Sequence, residues 1–168
     1  MTAIVERDNI DLKGILYPLR PRSMKLSSRV RYGCRALVHL AVHHDEGPVA
    51  LEVLADDASI PRKYLAKIIQ DLRRSGLIRS VRGPHGGYLL SGRPADVTVL
   101  DVWEALEGPL CPVDCLENPD ACDLLDECVT RDVWSQLRDA VSKVLEAATL
   151  EALAEKYEAK ARRHASAR

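Results

Sequence analysis

The stretch IPRKYLAKIIQDLRRSGLIRSVRGPHGGYLL, residues 60–90, decides the fold of this chain. Its first half predicts an amphipathic helix, because four apolar residues recur at helical spacing on one face: Leu65, Ile68, Ile69 and Leu72. Pro61 suits the first position of that helix, where its missing N–H costs nothing. Gly76 suits the position just beyond the end, where a left-handed backbone is common.

A glycine-rich hairpin follows this helix. Two strand-like runs, residues 77–81 and 88–90, flank the turn RGPHGG at residues 82–87. A basic helix followed at once by such a hairpin is typical of a winged helix-turn-helix. In that arrangement the helix enters the major groove of DNA, and the hairpin, or wing, reaches the neighbouring backbone or minor groove.

The sign of the charge separates this interpretation from an ordinary helix and hairpin whose charges are merely solvated. From Arg62 to Arg82 there are seven Lys and Arg residues and one acid, Asp71. Residues 24–94 hold 12 basic and 6 acidic residues, whereas residues 95–168 hold 8 basic and 16 acidic residues. A basic half joined to an acidic half predicts a localised nucleic-acid face.

Two helices precede the basic helix and complete the DNA-binding module. Residues 27–44 predict the first, with Cys34 on its apolar stripe as a small buried hydrophobe. Three histidines near its end are expected on the surface: His39, His43 and His44. A short second helix follows, with four residues inward: Leu51, Leu54, Ala55 and Ala58.

Three further helices are predicted after the wing. The first begins at Thr98, a plausible N-cap, and ends at Gly108. A long helix starts at Thr130, and a tail helix follows from Thr149. The long helix carries a coiled-coil-like apolar seam: Trp134, Leu137, Val141, Val144 and Ala148. Such a seam predicts a two-fold homodimer, and the alternative is that this helix packs back on its own domain.

Residues 109–128 form an acidic loop with four of the five cysteines, spaced C-x3-C-x6-C-x5-C. This spacing disfavours a zinc ribbon, and disulfides are unusual in a cytosolic chain, so an iron–sulfur cluster or a thiol redox switch remains. The carboxylates around these cysteines should raise the pKa of a thiol and make it a poor peroxide sensor. We therefore favour the cluster, with a clusterless thiol-based redox sensor as the alternative.

Several motifs together identify the chain as resembling the Rrf-type winged helix-turn-helix regulators, which include IscR/NsrR-like iron–sulfur regulators. The motifs are MKLS at 24–27, RY at 31–32, DLRRSGL at 71–77, SVRGPHGGYLL at 80–90 and, after the cysteine loop, TRDVW at 130–134. The resemblance implies a mainly α fold with a long dimerisation helix. It also implies a DNA-binding transcription regulator, most simply a repressor, acting on a double-stranded operator.

The resemblance further implies that three cysteines hold a [2Fe–2S] or [4Fe–4S] cluster: Cys115, Cys122 and Cys128. In one branch of the family a histidine three residues after the last cysteine is the fourth ligand, but here Arg131 stands there. Another branch uses an aspartate of the first helix, where this chain has Arg31. Because neither arginine is a credible ligand, Cys111 is the candidate for the fourth position, with a carboxylate or a group of the partner chain as the alternative.

By match to the family, eight residues are expected to contact DNA: Lys25, Arg62, Lys63, Tyr64, Lys67, Arg82, Gly83 and His85. Tyr64 could instead belong to the core. The expected organisation is an N-terminal extension at 1–23, the DNA-binding domain at 24–94, the linker helix and cysteine loop at 95–129, and the dimerisation and tail helices at 130–168.

Other classes of protein are disfavoured. No apolar run approaches the roughly 20 residues needed to span a bilayer, and residues 1–23 do not resemble a signal peptide, so a cytoplasmic protein is expected. An enzyme is disfavoured because the sequence offers no Ser/His/Asp set, phosphate-binding loop or C-x2-C redox pair.

Overall fold

The computed structural model describes residues 26–125 and 127–166, so the expected extension at 1–23 and the candidate DNA contact Lys25 lie outside the described residues. The described fold is mainly helical with one small sheet, as predicted. Its helices and strands are α1 Ser28–Val42, α2 Leu51–Asp57, α3 Arg62–Arg74, β1 Ile78–Val81, β2 Gly87–Leu90, α4 Val99–Glu107, α5 Arg131–Glu146 and α6 Leu150–Ser166.

The basic helix α3 begins one residue later than the sequence predicts. Pro61 is the N-cap rather than the first helical residue, because its backbone is extended, with ψ 124°. Its carbonyl accepts hydrogen bonds from the N–H groups of Tyr64 and Leu65, both at 2.9 Å. At the other end Gly76 has φ +83°, and the N–H of Leu77 donates to the carbonyl of Leu72 at 3.1 Å. This is the glycine C-cap that the sequence predicts.

The apolar face of α3 lies at the centre of the core. Its four predicted inward residues are all buried: Leu65, Ile68, Ile69 and Leu72. They pack where α3 meets α1, α2 and α4. The helices α1 and α4 approach closely at Gly33, because a Cβ there would lie 2.5 Å from Cδ1 of Leu106 and the leucine side chain would have to shift.

The wing is an antiparallel hairpin in which Ile78 pairs with Leu90 and Val81 with Gly87. A third segment joins it, which the sequence does not predict. The N–H of Val49 donates to the carbonyl of Tyr88 at 3.0 Å, and the N–H of Tyr88 donates back to Val49 at 2.9 Å. Gly87 permits this contact, since a Cβ there would lie 2.3 Å from the carbonyl oxygen of Val49. The second strand of the wing is thereby tied to the segment just before α2.

The helix α4 has the boundaries that the sequence predicts. The Thr98 hydroxyl accepts from the N–H of Asp101 at 3.2 Å, and the Asp101 carboxylate accepts from the N–H of Thr98 at 2.7 Å, which forms a capping box. Gly108 ends the helix with φ +84°.

Between Leu106 and Leu150 no described residue is fully buried. The core therefore stops at α4 and resumes only at α6.

The tail helix α6 returns to the core by packing on α1. Leu150 is fully buried, and its N–H donates to the carbonyl of Val97 at 2.8 Å. Because α6 covers the middle of α1, the prediction that His39 lies on the surface is wrong: this residue is only 6% exposed. Its ring meets the ring of Tyr157 edge-on, with centroids 4.8 Å apart.

Within the part of the chain that the structure describes, no helix is long and apolar enough to cross a membrane.

Replacing Leu150 with alanine tests whether α6 belongs to the same cooperative core as the DNA-binding helices. We expect Leu150→Ala to lower the free energy of unfolding by about 2–5 kcal/mol, because the truncation leaves a cavity between α6 and its neighbours. The matched control is Leu124→Ala, at a side chain 64% exposed in the cysteine loop, which should change that free energy by less than about 0.5 kcal/mol. Urea unfolding followed by circular dichroism measures both, and equal effects would contradict the assignment.

Candidate nucleic-acid interface and cysteine loop

The polar face of α3 is exposed because its opposite face is fixed in the core. Lys63, Lys67 and Arg73 project from this face, and in the described residues no carboxylate lies within 4.0 Å of their charged groups. An uncompensated row of cations on a rigid helix is the electrostatic arrangement that phosphate groups require. The structure thus presents Lys63 and Lys67, two of the predicted contacts, on one accessible surface.

Two other cations of α3 have acidic partners. Arg62, a predicted DNA contact, forms an ion pair with Glu52 of α2. Arg74 pairs with Asp71 at 2.9 Å, and Asp71 also binds Arg29 of α1. Asp71, the one acid in this basic stretch, therefore links α3 to α1.

Tyr64 differs from the other predicted contacts on α3. Its side chain is half-buried against the core, and its ring meets Tyr32 of α1 edge-on, with centroids 5.7 Å apart. This packing agrees with the alternative in which Tyr64 belongs partly to the core. The role that the structure favours for it is to fix the start of α3 against α1.

The tip of the wing carries the remaining predicted contacts. Arg82, Gly83 and His85 are all exposed there. Gly83 has φ +123°, and its carbonyl accepts from the N–H of Gly86 at 2.9 Å, which closes the turn. Arg82 and Arg79 have no carboxylate within 4.0 Å in the described residues. The wing therefore extends the positive surface of α3.

The cysteine loop contains two single 3-10 turns, Asp114–Leu116 and Pro119–Ala121. Its described residues form no helix or strand longer than these. Its four cysteines are unpaired and half-buried: Cys111, Cys115, Cys122 and Cys128. The thiol of Cys111 donates to the carbonyl of Val113 at 2.9 Å, and the sulfur of Cys128 lies 3.3 Å from the hydroxyl of Thr130.

The four cysteines of the loop have the chemistry to bind a cluster, although the structure does not bring three of them together. Free, partly accessible thiols are the ligands that iron–sulfur clusters use. Yet nowhere in residues 26–125 and 127–166 do three or more Cys, His, Asp or Glu side chains converge into a group that could hold a metal ion. Binding a cluster would therefore require the loop to close around it.

One cysteine of the loop departs from the acidity that the sequence predicts. The sequence predicts that the nearby carboxylates raise the pKa of these thiols. At Cys128 the pKa is instead lowered, mainly because the Thr130 hydroxyl and then backbone N–H groups at the start of α5 hydrogen-bond to the sulfur. Burial raises the pKa of Cys34 to about 11, which agrees with its predicted structural role.

The two arginines at the family's fourth-ligand positions have other surroundings. Arg31 donates to the hydroxyl of Ser28 at 3.2 Å and lies over the ring of Tyr32. Arg131 is the first residue of α5, and its Nε is buried without a hydrogen-bond partner in the described residues. Neither arginine therefore provides a fourth ligand for a cluster.

The long helix α5 has no buried residue. It exposes large apolar side chains, four of them at 38–69%: Val133, Trp134, Leu137 and Val144. Beneath it lies a mainly apolar cavity of about 380 Å³, lined by Trp103, Leu110, Cys111, Leu137, Val141 and Leu145 among others. Large apolar side chains exposed together on one helix face are typical of an interaction surface.

A helix-turn-helix followed by a two-stranded wing, with an uncompensated cationic surface along both, defines a winged helix-turn-helix protein. Residues 26–156 match the Rrf2 family, described as iron-dependent transcriptional regulators. The chain belongs to this family.

Named relatives and solved structures support the assignment to this family. The chain is 40% identical to the HTH-type transcriptional regulator CymR of Bacillus subtilis over 78% of this chain and 90% of that protein. The structure of CymR, the global cysteine regulator of B. subtilis, matches with a TM-score of 0.66 at 38% identity, covering 79% of this chain and 98% of that one. That of T. potens IscR matches with a TM-score of 0.65 at 34% identity, covering 82% of this chain and 91% of that one.

Proposed function

We propose that this chain represses transcription by binding a DNA operator as a homodimer, and that an iron–sulfur cluster in the cysteine loop controls its affinity for that operator. The observation that carries the DNA-binding part is the row of cations on α3 and the wing that have no acidic partner among the described residues. Such cations release condensed counterions from the duplex, which makes binding strong and dependent on salt.

The proposed contacts divide between the helix and the wing. Lys63 and Lys67 face the major groove, where lysine pairs with guanine edges or phosphates. Arg82, Gly83 and His85 at the wing tip meet the adjacent backbone or minor groove. Arg62 joins these contacts after exchanging Glu52 for DNA.

The proposed dimer forms through α5. In a single chain the large apolar side chains of this helix remain 38–69% exposed, and fully burying them would contribute at most about 1.5–3 kcal/mol each. When two copies of α5 pack around a two-fold axis, both apolar faces are buried at once. The same symmetry places two copies of α3 for a near-palindromic operator.

In the proposed cluster site Cys115, Cys122 and Cys128 are ligands, with Cys111 as the fourth. Support comes from the free thiols, the iron-dependent family description and the similarity to IscR. When bound, the cluster would supply an oxidisable iron centre. The cysteine loop itself carries the sulfur ligands and joins them to α5, the proposed dimer helix.

The second candidate is a regulator that senses oxidation through its thiols without a cluster. The specific observation in its favour is that the described cysteines are not gathered around a common centre. The similarity to a global cysteine regulator points the same way. Both candidates share the DNA-binding surface and differ only in what the cysteine loop carries.

Removing single cations should weaken DNA binding. We expect Lys67→Ala and Arg82→Ala each to raise the Kd for a duplex selected by the wild-type protein by about tenfold, since one such side chain contributes about 1–3 kcal/mol to recognition. Each should also reduce the slope of log Kd against log salt by about 1, because one phosphate is no longer neutralised. Lys143→Ala, at an exposed lysine of α5, is the matched control. Fluorescence anisotropy measures all three, and wild-type affinity in both test variants would refute the contact assignment.

Placing a charge on the apolar face of α5 should separate the dimer. We expect Leu137→Glu to give a folded monomer in analytical ultracentrifugation, because no residue of α5 is fully buried within one chain. Gln136→Glu, at the neighbouring exposed position, adds the same charge and should leave the dimer intact. A wild-type monomer, or a Leu137→Glu dimer, would be incompatible with the proposed interface.

Anaerobic purification tests the cluster. After iron and sulfide are supplied, we expect a brown protein with a thiolate–iron absorption band, which Cys115→Ser, Cys122→Ser and Cys128→Ser each lose because thiolate ligands are removed. Cys34→Ser, outside the loop, should keep the band. A colourless wild-type protein refutes the cluster. If oxidation then lowers its operator affinity and mass spectrometry finds a disulfide in the loop, the thiol-based candidate replaces it.

A further inference from the structure

A second charged feature lies away from both the DNA-binding surface and the cysteine loop. A crevice of about 350 Å³ runs between α1 and α6 and reaches the end of α2. Its lining includes Arg35, His39, Asp57, Lys156, Tyr157 and Lys160. Its volume lies within the range of small-molecule sites.

The rim of this crevice is cationic. Arg35 of α1 and Lys156 and Lys160 of α6 border it, against one carboxylate, that of Asp57. In the described residues none of these four groups has an oppositely charged partner within 4.0 Å. Three cations brought to one concave surface from two different helices concentrate positive potential where an anion could enter.

The inner wall contains a polar group that lacks a partner. His39 is more than nine-tenths buried, lines the crevice and makes no side-chain hydrogen bond to another described residue. Its ring packs in an edge-to-face arrangement with the ring of Tyr157. The pKa of His39 is lowered, chiefly by burial; Asp57 opposes this effect, while His43 and Arg35 add to it. Because this ring lines the crevice and has no hydrogen-bond partner among the described residues, it is available to a ligand.

We propose that the crevice between α1 and α6 binds a small organic anion whose carboxylate or phosphate group lies among Arg35, Lys156 and Lys160. Its uncharged part packs on the Tyr157 ring and on Leu153, and a polar atom hydrogen-bonds to His39. Carboxylates and phosphates share this chemistry of recognition by arginine and lysine. The site goes beyond the proposed function and depends neither on DNA nor on a cluster.

Such a ligand would connect α6 to the DNA-binding module. Arg35 and His39 belong to α1, which packs on α3, and Asp57 is the last residue of α2. An anion held between α1 and α6 therefore stabilises the packing of the tail helix on the helices that position α3. Binding to the folded state alone also raises the midpoint of thermal unfolding.

Titrations of the full-length protein test the site with two probes, inorganic phosphate and succinate, at constant ionic strength held with chloride. The readouts are the NMR resonances of the His39 ring and the dissociation constant from calorimetry. We expect saturable binding of at least one probe, and the tighter one identifies the ligand as a phosphate or a carboxylate. We expect Lys156→Gln/Lys160→Gln to weaken that binding at least tenfold.

Lys143→Gln is the matched control, because it removes a lysine charge from α5, away from the crevice, and should leave the binding unchanged. Since both test lysines are exposed, their replacement should leave the fold intact, and circular dichroism checks this. Two outcomes overturn the site: neither probe shifts the His39 resonances beyond the chloride control, or the double variant binds as tightly as the wild-type protein. Neither measurement uses DNA, so failure here is distinct from failure of the proposed repressor.

Discussion

The burial of one face of α3 is the constraint on which the rest of the structure depends. Four leucine and isoleucine side chains on this face are inside the core, and each contributes about 1.5–3 kcal/mol by leaving water. Exposed ion pairs contribute at most about 1 kcal/mol each. The apolar face therefore fixes the orientation of α3, and the opposite face can keep unpaired cations at little cost in stability.

The same reasoning explains how the wing is held. A two-stranded hairpin alone is marginally stable in water. Here the backbone of Tyr88 pairs with that of Val49, and Ile78 and Leu90 are buried in the core. The base of the hairpin is thus part of the core, while its glycine-rich tip with Arg82 projects into solvent. A rigid base and an exposed tip suit a segment that contacts a duplex beside the helix.

The middle of the chain has the opposite character. Between Leu106 and Leu150 no described residue is fully buried, although this stretch includes the long helix α5 and four cysteines. A segment without a core of its own needs another source of order, such as a second copy of the chain or a bound metal centre. The tail helix α6 then packs on α1. The crevice between them is lined by charged residues of three helices.

The sequence by itself determined the order of elements, the helix caps and the identity of the cationic face, because these depend on local spacing and on residue type. Gly76, Thr98 and Gly108 act where the pattern predicts, and Pro61 is displaced by only one position. Only the tertiary structure decided that Val49 joins the wing, that Glu52 pairs with Arg62 and that His39 is buried under α6. These contacts join residues far apart in the chain, and local periodicity carries no information about which distant surfaces meet.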